Sequence, residues 1–249
     1  MIYNRYLIII LNFFYISCIS CYTNINIDAT GLFIPYSIGV LGYIKKNIDL
    51  KNDYHLSGIS GGSWAAVIYN LENDLSNHDK IWNKFISKDE KYNVRIDKNL
   101  EEFQKRIKTN ILQKYDYIQE DYIKNIPISI IVSKINKFTI KNEKIDKFTS
   151  LEELLDYCIC SSYIPYISGK NCMKKYKDVN YIDGGIFTDF SHFDCKNKCE
   201  KTIYVHRGMW GRKFDLQDHY FLDKKSSKKL FEYGWKDTEK NVDKIFRNK

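Results

Sequence analysis

Short β-like runs alternate with longer helical stripes along this chain. Residues 24–28 read as a strand, and a helix is expected from about Pro35 to Lys46. Pro35 suits the first helical turn, where its missing N–H would have no intrahelical acceptor. Residues 54–56 read as a short buried strand, and residues 63–69 as the body of a helix that ends near Asn73. From Leu75 to Asn125 the chain is charged and mainly helical, with Ile81, Trp82, Phe85, Phe103, Ile107 and Ile111 as apolar positions. These are expected to form outer helices and any lid. Strands follow at 128–132 and 137–140. Ser150 is a good N-cap for a helix over 151–157, with Glu152 and Glu153 in its first turn. The run 179–183 favours a strand, and the alternation-free apolar run 202–206 suits a buried parallel strand. Strands alternating with helices predict a three-layer α/β sandwich.

Two motifs carry candidate chemistry. Gly58-Ile59-Ser60-Gly61-Gly62 places a serine between glycines where a strand turns into a helix. A serine at such a turn projects its hydroxyl clear of the sheet, and the crowded backbone requires small neighbours. The helix N-terminus behind it offers unpaired N–H groups where an oxyanion would form. Far downstream, residues 179–182 lead into Asp183-Gly184-Gly185, an acid at a strand end followed by glycines that permit a tight turn. Taken singly, the second motif reads first as an ordinary Asp-Gly turn; together they suggest a nucleophile and its proton acceptor.

With these motifs the chain resembles the patatin-like phospholipases and acyl hydrolases, over roughly Asn24 to His206. That family has a glycine-rich loop after the first strand, then G-x-S-x-G, then D-G-G or D-G-A. Residues 27–33 stand for the loop, and Cys160-Ser161-Ser162-Tyr163-Ile164-Pro165 resembles the small-residue and proline segment before the aspartate motif. The resemblance implies a three-layer α/β/α sandwich with a mainly parallel central sheet. It also implies a Ser60–Asp183 dyad that hydrolyses lipid esters without metal or cofactor. The oxyanion hole would be drawn from Ala29, Thr30, Gly31 and Gly61, with Gly58, Gly62, Gly184 and Gly185 as motif glycines. One departure stands out: the family loop has three glycines and, one residue later, a base, where this chain has Ala29-Thr30-Gly31 and Phe33. Side chains at 29 and 30 restrict positive φ there. Animal triglyceride-lipase relatives also lack the basic residue. The alternatives are a lipid-binding pseudoenzyme with a broken loop and a Ser…Asp…His triad using His206 or His219.

Composition adds the surroundings. Residues 1–22 have a short positive start, then an uncharged apolar run from Tyr6 to Tyr22, as in a signal peptide or signal anchor. Secretion or membrane anchoring is therefore expected. Residues 23–215 would form the hydrolase domain and 216–249 a basic amphipathic helical segment. Of the seven cysteines, Cys172 can pair with Cys158 or Cys160, and Cys195 and Cys199 can close a small loop or, with His192 or His206, hold zinc. The formal net charge of +8 suits an anionic lipid surface, and no nucleic-acid motif accompanies it. The expected partner is a lipid substrate at a membrane or lipid-droplet surface. Phe231, Trp235, Val242 and Phe246 recur at helical spacing in the C-terminal segment. Such a stripe either lies on lipid or packs on the fold.

Overall fold

The computed structural model describes residues 23–50, 53–136, 139–187 and 201–246. The expected signal segment and the group His192, Cys195 and Cys199 lie outside them. The first half of the chain forms β1 (Thr23–Ile27), a 3-10 turn (Gly31–Phe33), α1 (Ile34–Asn47), β2 (Tyr54–Ile59) and α2 (Gly61–Leu71). Then come α3 (His78–Phe85), β3 (Asn93–Arg95), α4 (Leu100–Lys114) and α5 (Glu120–Lys124). The middle contains β4 (Ile128–Asn136), β5 (Thr139–Ile145), α6 (Leu151–Ser161), β6 (Lys174–Tyr176) and β7 (Val179–Ile182). The chain closes with β8 (Lys201–Val205), a second 3-10 turn (Leu216–His219), β9 (Phe221–Asp223) and α7 (Lys224–Phe246).

The α/β class holds, and the sheet is mixed. Strands β8, β1, β2 and β4 run parallel, while β5 and β7 are antiparallel to β4 and β6 is antiparallel to β7. The physical reason is connection length: β4–β5 and β6–β7 are joined by links too short for a crossover, so each pair must be antiparallel. The β6–β7 turn has Lys177 and Asp178 at φ 45° and 60°, a two-residue turn with both centres left-handed. Neither is glycine or asparagine, which is why the sequence reading missed it. It also missed the small β3–β9 sheet. Strand β8 is parallel as expected, but it ends the sheet order and Tyr204 is exposed, so it is not a buried strand.

One face of the sheet is apolar, with Ile25, Ile27, Leu56, Ile128, Ile130 and Val132 fully buried. Helices α2 and α6 pack on the sheet and touch each other, so they share this face. The opposite face is also buried but largely polar: Asn24, Asn26, Ser57, Ser129 and Ser133. There Asn24 Nδ2 donates to Asn26 Oδ1 at 3.0 Å, and His55 Nε2 lies 2.6 Å from Ser129 Oγ.

Helix α7 packs along α1. A Cβ on Gly39 would fall 2.1 Å from the Phe231 carbonyl oxygen, and one on Gly234 would fall 2.1 Å from that of Tyr36. The two backbones therefore touch, and glycine at 234, which weakens an isolated helix, is what permits the contact. Phe231 is buried and the Trp235 ring meets Tyr43 edge-on at 5.5 Å. Arg212 pairs with Asp237, which also accepts from Tyr36 Oη at 3.3 Å. Phe231 and Trp235 are thus used for the fold and are not free to lie on lipid. Cys158 and Cys160 are buried in α6 and Cys172 is exposed, all three as free thiols. The bridge from Cys172 is not formed, because burial in the helix keeps both candidate partners away from the surface.

Candidate active site

The site lies along one edge of β4. Strand β2 runs parallel to β4 and stops at Ile59, opposite Ile131. Since β5 occupies the other edge, antiparallel β7 takes the stretch of edge that β2 leaves, reaching Ile182 opposite Ser133. The two strands arrive head to head, and the residue after each is a member of the expected pair. Ser60 Oγ donates to Asp183 Oδ2 at 2.6 Å.

Ser60 occupies the turn between β2 and α2 with φ 52° and ψ −124°, a left-handed conformation that costs an L-residue roughly 1–3 kcal/mol. Its surroundings hold it there. The Ser60 N–H donates to Ser161 Oγ at 2.8 Å, and Ser161 Oγ donates to the Ile131 carbonyl at 2.6 Å. Ser63 Oγ donates to the Ser60 carbonyl at 2.6 Å. The glycines allow the close approach this requires: a Cβ on Gly62 would sit 2.4 Å from the Ile27 carbonyl oxygen, and one on Gly58 2.6 Å from Ser63 Cα.

Asp183 is 4% exposed. Its Oδ1 accepts the Gly185 N–H at 2.7 Å, so each carboxylate oxygen has one defined donor. Burial pushes its pKa up to about 6, against the opposing pull of the Ser60 and Gly185 hydrogen bonds. Its own N–H donates to the Tyr163 carbonyl at 2.8 Å, and the Gly184 N–H to that of Ser161 at 2.9 Å. Residues 161–163 therefore grip both members of the pair. The sequence drew attention to this segment only as a motif resemblance; that Ser161 binds the Ser60 N–H through its hydroxyl and the Gly184 N–H through its carbonyl was not foreseen.

The loop after β1 faces the elbow. Among its expected donors Ala29 is withdrawn, because its N–H donates to Asp28 Oδ1 at 2.7 Å. The amides of Thr30, Gly31 and Gly61 have no acceptor among the described residues. Gly31 and Gly61 are packed together: a Cβ on Gly61 would lie 2.9 Å from Gly31 N and 2.6 Å from Thr30 Oγ1. That buried hydroxyl also has no partner among the described residues. Only Gly31 in this loop has positive φ, at 53°, while Thr30 has φ −94°. Side chains at 29 and 30 thus impose no backbone strain. Gly185 makes room for Ala29, since a Cβ on it would come within 2.3 Å of the Ala29 Cβ.

A cavity of about 30 Å³ opens on Ser60, with Leu32, Trp64, Leu100, Phe103 and Ile164 among its walls. Gln104 Nε2, from α4, donates to the Ser162 carbonyl at 2.7 Å beside it. A much larger groove, about 890 Å³, runs past Lys84, Arg106 and Lys114 and includes none of the expected residues. Its charged walls suit solvent, and size alone does not locate chemistry here. Among the described residues no histidine bonds Ser60 or Asp183: His55 meets Ser129, and His219 Nδ1 lies 3.0 Å from Arg207. No group of three metal-binding side chains gathers among them.

No protein-family model matches the chain, and no curated protein matches it. A similar solved structure is VipD from Legionella pneumophila, with a TM-score of 0.43 and 12% identity. The likeness covers 68% of this chain and 46% of that one, so the chain spans less than half the length of that protein.

Proposed function

We propose that this protein is a serine-dependent lipid acyl hydrolase cleaving carboxylic esters of phospholipids or acylglycerols by a Ser60–Asp183 dyad. The observation that carries the reading is the 2.6 Å hydrogen bond from Ser60 Oγ to the Asp183 carboxylate, at a strained glycine-bounded turn. Ser60 Oγ attacks the ester carbonyl as its proton passes to Asp183, with no imidazole between them. The amides of Thr30, Gly31 and Gly61 receive the developing oxyanion at the N-terminus of α2. The alcohol leaves with the proton from Asp183, giving an acyl-serine. Asp183 then takes a proton from water as the water oxygen attacks the acyl carbon, and passes it to Ser60 Oγ as the acyl–Oγ bond breaks, releasing the fatty acid and restoring both residues.

A carboxylate with pKa about 6 is suited to this role, since it is ionised at neutral pH yet basic enough to take a proton. The largely apolar walls at Ser60, among them Leu32, Trp64, Leu100 and Phe103, favour an acyl over a charged group, and the cavity of about 30 Å³ must open to admit an acyl chain. The fold that goes with this reading is a patatin-like three-layer sandwich around a mainly parallel sheet, with a further layer over the buried face that carries Asn24, Asn26 and Ser57. The pseudoenzyme alternative rests on Ala29 and Thr30; their unstrained backbone favours the hydrolase reading.

The test is labelling by a fluorophosphonate together with fatty-acid release from phospholipid and triacylglycerol emulsions. The reading expects both in the wild type and neither in Ser60→Ala. A folded wild type that does neither would refute it.

A further inference from the structure

We propose that Tyr166, Ile167, Ile186 and Phe187 form the face by which this protein docks on an anionic lipid surface. This partner assignment rests on the hydrolase reading above. These four apolar side chains are 71%, 43%, 46% and 56% exposed. They come from two loops that both start at the grip on the dyad. Ile164 lines the cavity on Ser60, and Tyr166 and Ile167 follow directly. Asp183 begins the second turn, closed by the Ile186 N–H donating to its carbonyl at 3.3 Å.

The first loop holds its shape firmly while presenting these side chains to water. The Ile167 and Ser168 N–H groups both donate to the Ile164 carbonyl, at 3.1 and 2.9 Å, and the Tyr166 N–H donates to Asn171 at 3.2 Å. Ser168, 2% exposed, donates through Oγ to the Ser162 carbonyl at 3.2 Å. Tyr166 is held at φ 62°, a left-handed conformation unusual for an aromatic residue. Adjacent exposed apolar residues on a fixed loop beside a reactive centre mark an interaction surface more than a chance exposure. Tyrosine suits the boundary between acyl chains and headgroups, with an apolar ring and a polar tip.

Charge selects the kind of surface. Residues 163–175 contain Lys170, Lys174 and Lys175 and no acid. Lys175 reaches Asp178 in the next hairpin at 3.0 Å and Lys174 is half-buried in β6 near Cys160, which leaves exposed Lys170 in the same loop as Tyr166 and Ile167, closed by the Tyr166–Asn171 hydrogen bond. Basic residues flanking apolar ones match anionic headgroups above acyl chains. A lipid surface held there would present its esters next to Ser60.

The experiment is co-sedimentation of the full chain with vesicles of phosphatidylcholine plus phosphatidylserine, and of phosphatidylcholine alone. The variant is Ile167→Ser/Phe187→Ser, and p-nitrophenyl acetate hydrolysis is measured beside it. The wild type is expected to prefer the anionic vesicles. The variant should bind them roughly tenfold more weakly while its p-nitrophenyl acetate rate stays within about twofold. Undiminished vesicle binding by the variant would overturn the proposal. So would a wild-type dimer that the variant dissociates while neither binds vesicles, since the face would then belong to a second copy. Failure of the hydrolase reading shows separately, as p-nitrophenyl acetate hydrolysis no greater than in Ser60→Ala; the lipid face is still judged by sedimentation.

Discussion

Ser60 and Ser227 both sit in buried polar constellations, and by composition the second is the fuller one. His78 Nε2 lies 2.8 Å from Ser227 Oγ, and His78 Nδ1 lies 3.3 Å from Asp79 Oδ1, the residue types of a catalytic triad. What surrounds the two serines differs. Ser227 lies within α7, flanked by Ser226 and Lys228, and is 1% exposed. Asp79 is half exposed and its charge is shared with Lys228 at 3.2 Å, a contact that holds its pKa below the ordinary value. Burial lowers the pKa of His78, which keeps it neutral. The cluster ties α3 to α7. Ser60 has only a carboxylate, but also a left-handed turn, unpaired amides at a helix N-terminus and an apolar cavity. A nucleophile is prepared by backbone geometry and unspent donors more than by the residue types beside it.

The largest expected effect separates the two serines directly. Ser60→Ala should lower ester hydrolysis by about 10⁴-fold or more, while Ser227→Ala stays within roughly twofold of wild type. Comparable losses in steady-state rate with p-nitrophenyl acetate would erase the distinction. Next comes Ser161→Ala, which leaves the Ser60 N–H buried without its acceptor. We expect kcat to fall by about 10- to 100-fold with KM little changed. Urea unfolding should show a cost of about 1–3 kcal/mol. An unchanged kcat would mean that the turn holds its shape without this tie.

The third prediction uses the acid. Activity needs the Asp183 carboxylate, so the rate should fall about tenfold per pH unit below about 6. Stability runs the other way. The folded pKa of about 6 lies above the ordinary 3.8, so the folded state binds this proton more tightly. That contribution is present in full below about pH 3.8 and is lost as pH rises through about 6. Asp183→Asn should therefore be inactive at pH 8 yet more stable than wild type by about 2–3 kcal/mol, raising Tm by roughly 5–10 °C. A Tm at or below the wild-type value would show that burial does not dominate this carboxyl. The smallest effect belongs to the second cluster: Ser227→Ala should cost about 1 kcal/mol by urea unfolding, the worth of one buried hydrogen bond.

Much of this was legible locally. The apolar stripe Ile81, Trp82 and Phe85, and that of Phe103, Ile107 and Ile111, are buried faces of α3 and α4, because helical spacing follows from backbone geometry alone. Ser150 caps α6 by accepting from the Glu153 N–H at 3.1 Å, as its place before the acidic turn suggested. The Phe231 stripe was ambiguous, since periodicity says which face is apolar and not what covers it. Gly39 opposite Gly234 decided that. The cysteines were likewise open, because reach across a fold is absent from spacing.

By itself the sequence determined the elements and the two motifs: a glycine-bounded serine before a helix, and an acid closing a strand. Each is short-range, set by steric limits on neighbouring residues. Only the tertiary structure decided that these groups meet. Ser60 and Asp183 are 123 residues apart, and their 2.6 Å contact depends on β2 and β7 sharing an edge of β4. It also decided the raised pKa of Asp183, which comes from burial, and the assignment of the Ser60 N–H to Ser161. Distance, burial and hydrogen-bond partnership arise from packing between segments far apart in the chain, and local sequence pattern does not contain them.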